Sequence, residues 1–341
     1  VLKNDTIKTE QLVIEQKLNR DYDSLLMSYY VQKAVDDTLS IIGDTLFVSD
    51  VNMDSTKIIV DLNDSIILRQ MAEMQVLFDV SYNHIVKSFI KVYTERKREL
   101  TETVLGLSDY YFPMFESELD AADLPLELKY LAVIESALNP RAVSRAGATG
   151  LWQFMSGTAQ QFGLEVSPEV DERYHIEKST VAACRYLKDA YRKLGSWSAA
   201  ALSYNGGQAR ITSEFTKQQT DKALDLWLVE ETTRYYFRML AIKTLFENPA
   251  QYGFVLRSDQ LYKPMEFKEV MVSSAIPSLA SFAKENGITY AQLKDFNSWL
   301  RDTKLTNKSG KNYTFLIPTR ESLYYKKGEK IKIHDERWIA R

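Results

Sequence analysis

One carboxylate in this chain sits where a carboxylate is costly. In LPLELKYLAVIESALNP, Leu124, Leu128, Leu131, Glu135 and Leu138 recur at three- and four-residue steps, so Glu135 shares a helical face with leucines. Tyr130, Val133, Ile134 and Ala137 make the opposite side apolar as well. The pattern predicts a helix buried nearly all round, opened by Asp123 and Pro125 and stopped by Asn139-Pro140. A carboxylate in that setting must pair, bind a metal or keep its proton. Desolvation disfavours the ionised form and raises the pKa, which suits a general acid. A core glutamate satisfied by an arginine or a backbone amide would show the same pattern, and burial alone does not choose between them.

The elements around Glu135 must bring polar groups to it. AVSRAGATG follows the helix as a loop whose small residues permit close backbone approach, and Gly150-Leu151-Trp152-Gln153-Phe154-Met155 leads into the next helix. Ser136 reads as a residue bonding the local backbone, and Trp152 as a core aromatic before a stacking platform. Residues 165–178 read as a loop, 179–194 as an amphipathic helix, and Asn205-Gly206-Gly207 as a turn. Trp227 to Phe254 returns to helix, where Tyr235 and Tyr236 are ordinary packing aromatics by pattern. Upstream, 65–100 is helical with an apolar stripe of Ile85, Phe89 and Val92, closed by the charge cluster Glu95–Glu99 as a solvated helix end. A further helix starts near Ser108 as N-cap, with Pro113 in or near its first turns, and Tyr110, Tyr111 and Phe112 pack within it.

Composition narrows the function classes. With 341 residues, two domains and a full-sized core are expected. A hydrophobic content of 45% with 26% charged residues reads as globular, and a net charge of −3 gives no reason to expect nucleic acid or an anionic membrane as partner. No apolar run approaches the roughly 18 residues of a membrane span. The chain begins at Val1 and is read as a mature or trimmed form. One cysteine, Cys184, excludes an intrachain disulfide, and with three scattered histidines it argues against a metal site, so no cofactor is expected.

Glu135-Ser136, Gly150 to Met155, and Ser203-Tyr204-Asn205-Gly206-Gly207 resemble, in order, the three motifs of family 1 lytic transglycosylases. The text around them (YYFPMFESELD, LPLELKYLAVIESALNP, AVSRAGATGLWQFM) is most similar to the membrane-bound, lytic murein transglycosylase D type, over roughly residues 65–253. The resemblance implies a mainly α fold, with a lysozyme-like helical catalytic domain over 65–255 and a helical lead-in at 65–122; residues 1–64 ahead of it read from their own pattern as a helical or linker region. It implies Glu135 as the catalytic acid and then base. Ser144 would bond the substrate N-acetyl group or the carboxylate. Gln153, Tyr204 and Asn205 would line the glycan site, and Tyr236, in Thr233-Arg234-Tyr235-Tyr236, would close it and steer the carboxyl. The chain departs from the pattern at His175-Ile176, where the family has Asp-Pro after Asp171-Glu172-Arg173, and at Ser203 and Gln208-Ala209. A second acidic catalyst at Asp171 or Glu172 is a lesser alternative.

Residues 265–320 read as strand (Phe267–Val272), two helical runs (Ile276–Glu285, Tyr290–Leu293) and strand (Tyr313–Ile317), an order that with Phe296-Asn297 resembles a small α+β LysM sugar-binding module. A basic tail, 321–341, is read as a strand plus disorder. The function implied is cleavage of the MurNAc-β-1,4-GlcNAc bond of peptidoglycan without water, leaving 1,6-anhydro-MurNAc ends. A goose-type lysozyme hydrolase and a non-catalytic peptidoglycan-binding or scaffold protein are the alternatives. The partner implied is the peptidoglycan glycan strand, met by a monomer in the bacterial periplasm or at the outer membrane, with room for a lipid anchor upstream of Val1.

Overall fold

The computed structural model describes residues 64–73, 84–256, 261–262, 264–308, 310–324, 333–334 and 337. The N-terminal region expected at 1–64 lies outside the described residues except for Asp64, as does most of the tail 321–341. Helix α1 (Asp64–Glu73) turns Ile67, Gln70 and Met71 inward, and the Tyr252 hydroxyl donates to Gln70 Oε1 at 2.5 Å. Helix α2 (His84–Lys91) buries Val86 and Ile90 completely, while Ile85 and Phe89 pack only in part. The expected stripe is therefore out of phase by one residue, about 100° round the helix.

A π turn, Val92–Arg96, follows α2, and after Lys97 helix α3 runs unbroken from Arg98 to Ala121. Two expectations change here. Ser108 is no N-cap but lies in mid-helix, fully buried, its hydroxyl donating to Leu105 O at 2.7 Å. Pro113 sits inside the helix, where it removes one backbone donor; Leu105, Phe112, Phe115 and Leu119, all almost wholly buried, hold the helix through it by tertiary packing. Nor is the Glu95–Glu99 cluster only a solvated end. Arg98 donates to the carbonyls of Tyr252 and Gly253 and stands 4.4 Å over the Phe254 ring.

A 3-10 turn, Leu126–Leu128, leads into α4 (Lys129–Ser136), the short helix that carries Glu135. Helices α5 (Ser156–Gln161), α6 (Ile176–Leu194), α7 (Trp197–Gly206) and α8 (Gln208–Gln218) follow, and α9 (Glu230–Glu247) packs on α2, α4 and α7. Caps mark the boundaries: His175 Nδ1 and Ser196 Oγ accept backbone N–H groups at the starts of α6 and α7, and Gly195 ends α6 in the left-handed region. Phe112, Phe115, Tyr130, Trp152 and Phe246 form an aromatic cluster at the centre.

The C-terminal part follows the expected strand–helix–helix–strand order: β1 (Phe267–Val272), α10 (Leu279–Glu285), α11 (Tyr290–Phe296) and β2 (Tyr313–Pro318). The strands pair antiparallel, Phe267 opposite Pro318 and Val272 opposite Tyr313. Thr289 and Gln292 form a reciprocal cap at the start of α11. Asn297, wholly buried, donates to Leu293 O and Leu316 O and accepts from Leu316 N, tying α11 to β2. This module is docked on the helical domain. Val170 bridges Leu300, Asp171 N donates to Trp299 O and Arg301 N to Glu169 O, each at 2.8 Å. In the tail, His334 N donates to Asp109 Oδ1 at 2.7 Å and Ile333 packs on the helical core.

Candidate active site

Helix α4 buries Tyr130, Leu131, Ala132, Val133 and Ile134, which leaves Glu135 at the end of its last turn, partly open. The helix stops at Ser136, earlier than Asn139-Pro140 would require, because Ala137 (φ 50°) and Leu138 (φ 58°) both take left-handed backbone. Two such residues in a row are strained, and the fully buried Leu138 side chain holds them there. Ser136 Oγ lies 3.0 Å from Ala132 O and 2.9 Å from Leu151 O. The first is the local bond the sequence suggests. The second pins the loop of the second motif to the end of the Glu135 helix.

The Tyr235 hydroxyl donates to Glu135 Oε1 at 2.8 Å. Burial raises the Glu135 carboxyl from its usual value to about 7, against the Tyr235 bond and the positive charge of Arg238, which favour ionisation; Glu231 nearby adds to the rise. Arg238 Nη2 donates to Ile134 O at 2.9 Å, which anchors α9 to the backbone beside Glu135. Burial acts to lower its pKa, but the Tyr93 hydroxyl and Glu135 hold it up, so it is a fixed cation. Burial and the neighbouring Glu135 raise Tyr235 and Tyr204 well above the ordinary phenol value, so both stay protonated donors.

Tyr235, not Tyr236, is the tyrosine at the carboxyl. Adjacent residues on a helix point about 100° apart, so only one of the two can face Glu135. Tyr236 points into the core, wholly buried, its hydroxyl 3.1 Å from Ser198 Oγ. Thr232, three residues before Tyr235 and on the same face, donates its hydroxyl to Asn205 Oδ1 at 2.8 Å, a contact that the folded helix shows and the letters do not. Arg238 and Glu231 had no sequence signal either, because their bearing on Glu135 depends on how α9 crosses α4.

Of the other expected residues, Tyr204 lies near enough to Glu135 to feel its charge, while Ser144 and Gln153 make their contacts within their own loop. The Tyr204 hydroxyl donates to Trp152 O at 2.8 Å, with its ring against Trp152, Phe154 and Tyr186. Asn205 Nδ2 lies 3.5 Å from Glu231 Oε1. Trp152 is wholly buried, its indole donating to Thr180 Oγ1 at 2.9 Å. Gln153 has left-handed backbone (φ 47°), and its amide donates to Gly150 O and Ala142 O, so that group closes its own loop. Ser144 Oγ accepts the Ala148 N–H at 3.0 Å in the same loop.

Asp171 and Glu172 are spent on structure. Asp171 grips Arg173 with both oxygens, at 2.9 and 2.7 Å, and Glu172 pairs with Lys178 and accepts Glu165 N–H. Arg173 in turn donates to Gly147 O and Phe154 O. Gly150 packs so close that an added Cβ would meet Arg173 O at 2.1 Å. Burial pushes the Cys184 thiol up to about 12, an inert core group. Among the described residues, no group of three or more His, Cys, Asp or Glu could hold a metal, and no helix is long and apolar enough to cross a membrane.

Comparison with known proteins finds matches to two parts of the chain. Residues 113–226 match the Transglycosylase SLT domain, and residues 268–321 match the Soluble lytic transglycosylase C-terminal LysM-like domain. Membrane-bound lytic murein transglycosylase D from two strains of Escherichia coli, K12 and O6:H1, is 28% identical over 235 residues, 67% of this chain and 51% of each relative. The chain thus spans about half the length of these curated relatives. A solved structure of an inactive mutant of lytic transglycosylase Slt from Pseudomonas aeruginosa is similar at 19% identity and a TM-score of 0.34, over 48% of this chain and 30% of that one. The chain thus carries a match to the SLT transglycosylase domain over 113–226 and to a LysM-like C-terminal module over 268–321, and is related to the membrane-bound lytic murein transglycosylase D proteins.

Proposed function

We propose that this protein is a peptidoglycan lytic transglycosylase that cleaves the MurNAc-β-1,4-GlcNAc bond with Glu135 as its one acid and base. The observation that carries this reading is Glu135 itself: a carboxyl held near pKa 7 by burial, with Oε1 occupied by Tyr235, among the motifs of an SLT domain. Most glycosidases divide the work between two carboxylates. Here Asp171 and Glu172 are committed to Arg173 and Lys178, which favours a single residue serving twice. Protonated Glu135 gives its proton to the leaving oxygen. The ionised form is then stabilised by Tyr235 and Arg238, and takes the proton of the sugar's own 6-hydroxyl as that oxygen attacks the anomeric carbon. The 1,6-anhydro end forms and no water is consumed. Ser144, Gln153, Tyr204 and Asn205 line the glycan site in this reading, with Tyr235 taking the steering role expected of Tyr236. The protein works as a monomer in the bacterial envelope, at the periplasm or outer membrane, with or without a lipid anchor. Mass spectrometry of muropeptides released from purified peptidoglycan tests the chemistry. Products lighter by one water than a hydrolase yields, absent with Glu135→Gln, support the reading; hydrated reducing ends mean a hydrolase.

A further inference from the structure

Two hydrophobic cores meet at one loop. Val170 and Tyr174 belong to the helical domain's sequence, yet both are buried in the core of the C-terminal module with Leu279, Leu293, Trp299 and Phe315. Val143, next to Ser144, packs on that same core. Polar contacts reinforce both points. Glu169 Oε2 accepts Thr306 N at 2.7 Å and Thr306 Oγ1 at 2.9 Å, Arg301 stands 4.3 Å over the Tyr174 ring, and Arg141 pairs with Asp295 on α11. Glu165 pairs with Lys311 at 2.7 Å and accepts the Tyr313 hydroxyl at 3.0 Å. His175, where the chain departs from the family pattern, caps α6 and stacks on Trp299, with ring centres 6.1 Å apart.

From this loop the contacts continue to the active site. Arg173, fixed by Asp171, holds the carbonyls of Gly147 and Phe154, and Ser136 ties the same loop, at Leu151, to the Glu135 helix. We propose that the LysM-like module is a positioning element of the active site, holding the 142–154 loop with Ser144 and Gln153 in register with Glu135. The departure at His175 is then an adaptation to the docked module. A module serving only as a wall-binding handle has no need to grip residues that flank Ser144.

The proposal rests on the reading of this site as glycan-cleaving, and its test separates the two. In the full chain, Asp295→Arg sets two guanidinium groups against each other at Arg141, and Glu169→Ala removes the acceptor of Thr306 at the other end of the interface. Amide hydrogen exchange is followed at 298–301, which reports docking, and at 142–154. Turnover is followed on soluble glycan strands lacking peptides. Wherever 298–301 loosens, exchange in 142–154 should quicken by roughly tenfold or more. In the same variants kcat should fall by roughly tenfold to a hundredfold, with KM changing less, as misplaced site groups would cause. The charge swap Arg141→Asp with Asp295→Arg should restore both. Loosened docking with unchanged loop exchange and kcat overturns the proposal, as does a rise in KM alone. So does an interface that neither variant loosens, because these contacts would then not be what holds it. If the unmodified protein cleaves no glycan, the functional reading fails, while exchange still tests the mechanical coupling.

Discussion

Replacing Tyr235 by Phe removes one oxygen from a side chain that is otherwise almost wholly buried, so the ring stays in place. That oxygen donates to Glu135 Oε1 at 2.8 Å and favours the ionised carboxyl. A hydrogen bond to a charged acceptor contributes about 1 kcal/mol more than one to a neutral acceptor, which is close to one pH unit. In the proposed mechanism Glu135 must be protonated to start the reaction, so kcat/KM should fall as pH rises through its pKa of about 7. Without the Tyr235 hydroxyl the carboxyl should hold its proton longer, and that alkaline limb should move up to about pH 8. The assay is release of soluble muropeptides from peptidoglycan between about pH 5 and pH 9, wide enough to bracket both limbs. Tyr235→Phe should keep a larger share of its own maximum at pH 8 than the unsubstituted protein does. A limb that stays in place or moves to lower pH would refute this account of how the carboxyl is tuned.

Three further outcomes follow from the same geometry. Tyr236→Phe should leave the alkaline limb unmoved and cost about 1 kcal/mol of stability, read from thermal melting, because the hydroxyl meets Ser198 in the core. Glu135→Gln should abolish turnover and also change how stability depends on pH. The folded-state pKa is raised, so the stability linked to the bound proton is present below the unfolded value and is lost as pH rises through about 7. The stability gained by Glu135→Gln over the unsubstituted protein in urea unfolding should therefore grow by about 2.5 kcal/mol between pH 5 and pH 8. Gly150→Ala brings a Cβ to 2.1 Å from Arg173 O at a φ of +81°, and melting should register a loss of about 3 kcal/mol or more.

Much of the site was legible in the sequence because it is local. Glu135 stands out by the leucine spacing around it, and the C-terminal module by its order of strands and helices; both are periodicities read within one element. The aromatic positions in α3 read correctly as packing groups, but its true length did not, because tertiary contacts on both sides of Pro113 override a local break signal. Tyr235 and Tyr236 are equivalent as letters, and only the rotation of α9 against α4 decides which meets the carboxyl. The same holds for Arg238, 103 residues beyond Glu135 in the chain yet bonded to the backbone beside it. The docking of the module on Val143, Val170 and Tyr174 joins residues more than a hundred positions apart. By itself the sequence determined the buried carboxylate of the candidate site and the local elements around it. Their pairing, the pKa of Glu135 and the union of the two cores were decided by tertiary structure, because desolvation and long-range contact exist only once the helices have packed.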